Sequence, residues 1–134
     1  MPDTGPVFTL DRFFVHLGAG AVAEITEEFD GTSEWFERYA GTRNAEPDSW
    51  LVSTYSFDAP WDTWEVHPNG HEVVLCTEGR MTLHQEIAGE VTTVTLDAGM
   101  AVVNPPGAWH TADIEGHAKA VFITAGMGTQ VRPR

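Results

Sequence analysis

At 134 residues the chain is one domain, long enough to bury about two thirds of its unfolded surface. Its 20 acidic against 7 basic residues, a formal charge of -13, argue against a nucleic-acid partner or an anionic membrane surface and for a soluble protein. A single cysteine, Cys76, excludes an internal disulfide; with no apolar run of about 18 residues and no basic-then-apolar N-terminus, the expected compartment is the cytoplasm.

Residues 1–48 read as an N-terminal extension packing on the rest or on a dimer partner. Val7 to Leu17 has the composition of one or two short strands, broken by Gly18-Ala19-Gly20. SEWFERYA after Asp30-Gly31-Thr32 predicts a short helix of about two turns, with Thr32 or Ser33 as N-cap and Trp35, Phe36 and Tyr39 on its apolar side. Gly41 is expected to end it. The expected job of this N-terminal region is to cover the apolar outer face of the hairpin described next, either in the same subunit or across a dimer.

Residues 49–134 read as β throughout. WLVSTYSFD is a strand rich in aromatic and branched residues, ended by Ala59-Pro60. Trp61 to Gly79 then predicts a β-hairpin, with Asn69-Gly70 as a type I′ loop. That register puts His67 opposite Glu72 and Glu65 opposite Val74, so Glu65, His67 and Glu72 share one face, with directly opposite Cβ atoms about 5 Å apart. A solvated polar face is the bland alternative. Against it, Thr63, Val74 and Cys76 share that face and Trp64, Val66, Val73 and Leu75 occupy the other, so both are half buried, and buried charges need a partner such as a metal. Cys76 is expected as a small buried thiol. His71 has the wrong parity and needs a bulge to join the group.

A second hairpin follows around Ala88-Gly89, where Met81 meets Leu96, Leu83 meets Val94 and His84 meets Thr93, which makes His84 a surface residue. Asp97-Ala98-Gly99 leads into the strand AVVN, and Asn104-Pro105-Pro106-Gly107 ends it in a rigid turn. Trp109-His110-Thr111 and a last strand, AKAVFITAG, complete the chain. Trp109 is a candidate pocket wall or core aromatic, the placement of Tyr55 and Phe57 is open, and His16 and His117 read as surface or loop residues. Short, regularly spaced strands with Gly, Pro and Asn turns say all-β sandwich or barrel.

Glu65-x-His67-x4-Glu72-x6-Gly79 resembles the first motif of the cupins, and Gly99-x5-Pro105-x-Gly107-x2-His110 the second, in the right order and separation. The chain is also similar to small single-domain bacterial cupins with a W-E-x-H-P-x-G-x-E stretch and a closing I-T-x-G. The resemblance covers roughly residues 50 to 126 and implies a double-stranded β-helix, the jelly-roll cupin barrel. It further implies one divalent metal, Fe, Mn, Ni, Co or Zn, held by His67, Glu72 and His110, with Glu65 standing where the family usually has its first histidine.

That departure makes Glu65 either a fourth ligand or a general base beside the metal. Two carboxylates and two neutral imidazoles cancel the charge of a divalent cation. Two histidines with one carboxylate also suit a facial site with open positions. Without metal, Glu65 and Glu72 crowd each other, which raises one pKa. The resulting expectation is a mononuclear metalloenzyme of oxygenase, isomerase or lyase type acting on a small organic molecule. The alternative is a cupin that binds a small ligand without turning it over, and exposed edges with an apolar hairpin face suggest a homodimer.

Overall fold

Gly20 and Ala21, both left-handed at φ 80° and 63°, turn the chain between β1 (Phe13–Gly18) and β2 (Val22–Glu28), which pair antiparallel. The computed structural model describes residues 7–44 and 46–134. β2 is not among the expected elements, because Val22, Ala23 and Ile25 stand among three glutamates on an exposed edge without strict alternation and carry little strand signal. The helix α1 (Ser33–Tyr39) is capped by Thr32, whose Oγ1 accepts the Trp35 N–H at 3.3 Å. Gly41 does not end the helical backbone, which widens into a π turn over Ala40–Asn44.

Trp35 and Tyr39 are buried with Phe14 and Leu51 in a small aromatic core, flanked by Phe29 and Tyr55, whereas Phe36 is exposed. β1 also pairs with β3 (Trp50–Phe57), Val15 lying against Val52. The N-terminal residues therefore widen the sheet beside β3 and pack on its inner side. Within the subunit they do not lie over the outer face of the Trp61–Gly79 stretch.

The remaining strands are β4 (Thr63–Val66), β5 (Glu72–Ile87), β6 (Glu90–Asp97), β7 (Ala101–Asn104), β8 (Trp109–Thr124) and β9 (Gln130–Pro133). Two long strands serve both walls of the molecule. Glu72 to Cys76 of β5 pairs with β7 and with the end of β8, which in turn pairs with β3; Met81 to Glu86 pairs with β6 and with the start of β8. Between these halves the β5–β8 register shifts twice, at Cys76/Glu78 and Gly79/Met81. Such bulges bend a strand and increase its twist. The result is the expected all-β jelly-roll barrel, with Val74, Cys76, Met81, Leu83 and Phe122 buried in its core. The expected separate strands at 109–111 and 118–126 are one continuous β8.

The second hairpin has the expected register, Met81↔Leu96, Leu83↔Val94 and His84↔Thr93. Its loop residues Ala88 and Gly89 both have positive φ, 53° and 81°, as a type I′ turn requires. The first hairpin does not form. β4 pairs with β8 and β9, and β5 with β6, β7 and β8. Residues 67–71 instead cross from one wall of the barrel to the other. Neither Asn69 nor Gly70 has positive φ. Gly70 is a glycine for another reason: a Cβ there would lie 2.3 Å from the Ala125 Cβ.

That contact makes a specific prediction. Gly70→Ala is expected to cost roughly 1–3 kcal/mol as overpacking, and Ala125→Gly in the same chain should recover most of it, because the obstructing atom is then gone. Urea denaturation of the two single variants and the double variant checks the coupling. Simple additivity would show that the approach of the two backbones is not what selects glycine.

Candidate metal centre

Three strand ends bring the site together. Glu65 in β4 sits directly opposite His110 in β8. His67 follows β4, and its carbonyl accepts the Gly107 N–H at 3.3 Å, which ties the Pro105-Pro106-Gly107 turn to it. Glu72 opens β5 on the facing wall, between Asn104 of β7 and Thr124 of β8. Glu65, His67 and Glu72 thus converge across the barrel interior and not along a hairpin.

One ligand atom from each of Glu65, His67 and His110 lies within 4.8 Å of the others, a group able to hold a metal ion. Glu72 lies among them, its Oε2 3.1 Å from His67 Nε2 and its Oε1 3.0 Å from His110 Nε2. Exposure is graded: the side chains of His110, Glu72 and His67 are 0%, 4% and 7% exposed, and that of Glu65 35%. Glu65 is therefore the open side of the cluster.

The hydrogen bonds around the cluster fix which atoms face inward. The Thr129 hydroxyl donates to the Gly126 carbonyl at 2.7 Å, so at 2.8 Å from His67 Nδ1 it accepts the ring proton. His110 Nδ1 lies 3.3 Å from the Ala108 carbonyl, which can only accept. Both rings thus carry a proton on Nδ1, and their buried Nε2 atoms have no hydrogen-bond partner. In a neutral ring such an Nε2 is a bare lone pair. Two lone pairs facing a carboxylate repel unless a proton or a metal cation stands among them. Glu65, His67 and His110 fit a divalent metal on these grounds, with Glu72 beside both imidazoles.

Glu72 is oriented from outside by its strand neighbours. Asn104 Nδ2 donates to its Oε1 at 3.1 Å and Thr124 Oγ1 to its Oε2 at 2.7 Å. Asn104 is itself set by Gln85, whose Nε2 donates to Asn104 Oδ1 at 2.6 Å. Burial alone would raise the Glu72 pKa, but the imidazoles of His110 and His67 outweigh it and hold the carboxylate well below its ordinary range. Burial would lower the His110 pKa, and Glu72, with a smaller pull from Glu65, raises it instead. Glu65 goes up, through burial first and then the Glu72 charge, against the pull of both imidazoles. The expected divergence of the two carboxyls is present, with Glu65 the raised member.

A sign follows for the metal-free protein. Glu65 in the fold prefers its neutral form, so it costs nothing below the ordinary carboxyl pKa, and a cost appears as pH rises through its raised value. Glu65→Gln should match the parent in stability near pH 4 and exceed it at pH 7. Thermal melts of chelator-treated protein across that range test this, and equal melting at pH 7 would contradict it.

Reading the sequence missed Asn104, Gln85, Thr124 and Thr129. Asn104 beside two prolines looks like a turn residue, and the only available signal was strand parity, which points it inward with Val102. Trp109 does not wall the site; it faces outward, where Arg132 stacks on it 4.4 Å from the ring centre. Trp61 takes that place, its ring centre 6.2 Å from that of His110. Tyr55 and Phe57 point inward and pack on Phe122.

The other histidines stand apart. His71 is exposed, as its parity implies. His16 is buried, contrary to expectation, between the Tyr39 hydroxyl at 2.7 Å and Glu46 at 3.0 Å. His117 is exposed beside Asp58 and Glu78, and His84, partly covered, bridges Thr93 and Asp113. Two surface cavities of about 210 and 400 Å³, the first lined by Asp48, Asn69, Gly70 and His71 and the second by Glu24 and Arg38 among others, include none of the four cluster residues in their lining.

The family model of the cupin domain matches residues 56–126, which hold all four residues of the cluster. The chain belongs to the cupin family. No match was found among curated proteins. Among solved structures, this cupin is similar to an oxalate oxidase in complex with the substrate analogue glycolate, with 19% identity and TM-score 0.53 over 62% of this chain and 45% of that one. Peruvianin-I, a cysteine peptidase from Thevetia peruviana latex, gives 18% identity and TM-score 0.53 over 63% and 56%. Procruciferin, an 11S globulin from Brassica napus, gives 14% and 0.52 over 63% and 22%. The cupin matches little more than half of these chains at most. What they share with it is the fold, and one fold carrying an oxidase, a peptidase and a globulin does not select an activity.

Proposed function

We propose that this cupin holds one divalent metal, Fe, Mn, Ni, Co or Zn, through His67, His110 and Glu72, with Glu65 as fourth ligand or as a base beside it. Its function would be oxygenase, isomerase or lyase chemistry on a small organic molecule. The observation that carries the reading is the pair of buried, unpartnered Nε2 atoms aimed at one carboxylate. A metal there supplies Lewis acidity and, for Fe or Mn, access to redox chemistry. The protein's own part is to keep both imidazoles in the ligating tautomer, to orient Glu72 through Asn104 and Thr124, and to leave Glu65 on the accessible side. From there Glu65 is placed to take a proton from a bound molecule.

The test is elemental mass spectrometry of protein purified without an affinity tag or added metal, followed by dioxygen uptake and turnover assays with the element found. Near-stoichiometric metal that is lost in His67→Ala supports the reading. No metal in the parent, and none bound on titration, would sink it. The alternative, a cupin that binds a small ligand without turnover, draws support from the narrow approach, since Glu65 alone of the four is appreciably exposed. Metal-dependent ligand binding without product would favour it.

A cytoplasmic homodimer completes the proposal. No helix among the described residues is long and apolar enough to cross a membrane. On the barrel's outer face Val15, Val52, Ile123, Val73 and Val103 form one uncharged row of cross-strand neighbours, and Val103 is half exposed. In a chain of charge -13, an uncharged row five strands wide is a natural face for a second copy. Light scattering that gives a strict monomer at micromolar concentration would remove the dimer.

A further inference from the structure

We infer that the strap formed by residues 126–134, which lies almost wholly beyond the matched cupin domain, is a working part of the metal centre, with Thr129 as the positioning residue of His67. The inference rests on the proposed metal site. The Thr129 Oγ1 has one proton, and it goes to the Gly126 carbonyl at 2.7 Å. Its lone pair therefore receives the His67 Nδ1–H at 2.8 Å. That bond keeps the proton off Nε2, the nitrogen aimed at Glu72, and fixes the ring's rotation. It is the hydrogen bond on the Nδ1 side of the ring; on the other side Nε2 lies 3.1 Å from Glu72 Oε2.

The strap is held in place by contacts far from the metal. Arg132 stacks between Trp64 and Trp109, 5.2 and 4.4 Å from their ring centres, and reaches Glu86 at 2.7 Å. Arg134 donates to the carbonyls of Trp61 and Ala112, each at 3.1 Å. Asn69 Nδ2 donates to the Met127 carbonyl at 2.8 Å, which binds the strap to the loop that carries His67. Two of only seven basic residues in the chain are thus committed to docking this segment. Strand β9 within it covers the free edge of β4, beside Glu65. With the strap docked, His67 holds its proton on Nδ1 and turns Nε2 to the metal position; with it undocked, the remaining partner is Glu72, 3.1 Å from Nε2, which favours the proton there.

The experiment uses the full chain with Thr129→Val, which keeps the shape and removes the hydroxyl, and Thr129→Ser, which restores it. Co(II) and Zn(II) affinities are measured by competition with a chromophoric chelator, and the ring ¹⁵N shifts of His67 are recorded in metal-free protein. Loss of one such supporting hydrogen bond typically weakens metal binding about 10–100-fold. That loss is expected in Thr129→Val, with recovery in Thr129→Ser, while metal-free melting stays close to that of the parent. The ¹⁵N shifts should report Nδ1–H in the parent and in Thr129→Ser, and a tautomer mixture in Thr129→Val. Parent-like affinity in Thr129→Val overturns the inference, as does a loss that serine does not recover. A parent that binds neither metal defeats the proposed function, and the tautomer then decides the positioning role: Nδ1–H retained in Thr129→Val overturns it.

Discussion

His110→Ala is expected to abolish the stabilisation that metal gives this protein. A metal present at 100 times its dissociation constant stabilises the native state by about 2.7 kcal/mol, roughly 10 °C in melting temperature for a domain of this size. The parent should show that difference between chelator-treated and metal-loaded samples. His110→Ala should show none, because its Nε2 is fully buried and no described side chain stands ready to replace it. The variant also melts lower without metal, since Glu72 loses one of the two imidazoles that hold its buried charge; removing one partner from a buried pair costs about 3–5 kcal/mol. The decisive quantity is therefore the metal-dependent increment within each variant. An undiminished increment in His110→Ala would place the metal elsewhere.

Gly79→Ala is expected to be among the most damaging single changes in the barrel. Gly79 stands between the two register shifts of β5, at φ 71°, and a Cβ there would lie 2.0 Å from the His117 carbonyl oxygen. The obstruction is backbone, so no side-chain rotation relieves it, and the bulge that carries β5 from one wall to the other must open. A loss above about 4 kcal/mol is expected, a large part of the 5–15 kcal/mol that keeps a domain folded. Gly89→Ala is the control. Gly89 has a similar φ of 81° with nothing within 4 Å of an added Cβ, so it pays for backbone strain alone, about 1 kcal/mol. Urea midpoints separate the two, and equal losses would mean that the clash is relaxed at little cost.

The cluster was legible in the sequence although one of its supports was misread. Glu65, His67 and Glu72 were grouped through the hairpin register, and His110 joined them through the resemblance to the two cupin motifs, which survives an error about pairing. Asn69-Gly70 matches the preferred type I′ pair, and local chemistry cannot tell that pair from a glycine selected by Ala125, which lies across the fold. The Ala88-Gly89 hairpin was read correctly because apolar residues on both arms agree on one register. Asn104, Thr124 and Thr129 went unseen because each is ordinary in its own segment and gains its role only from a neighbour far along the chain. His16 was misplaced for the same reason: Tyr39 and Glu46, which enclose it, come from the helix and the loop after it.

The sharing of β5 and β8 between both walls sets the order of events during folding. β3 finds its partner at the end of β8, and β4 waits for β9, so few pairings beyond the β1–β2 and β5–β6 hairpins are local. Chains dominated by such distant pairings fold on the millisecond-to-second scale. Glu65, His67, Glu72 and His110 come from segments that meet only when these long closures are complete. A nascent chain therefore offers an ion the Glu65-to-Glu72 segment without His110, and the complete cluster exists only when the barrel has already chosen its shape.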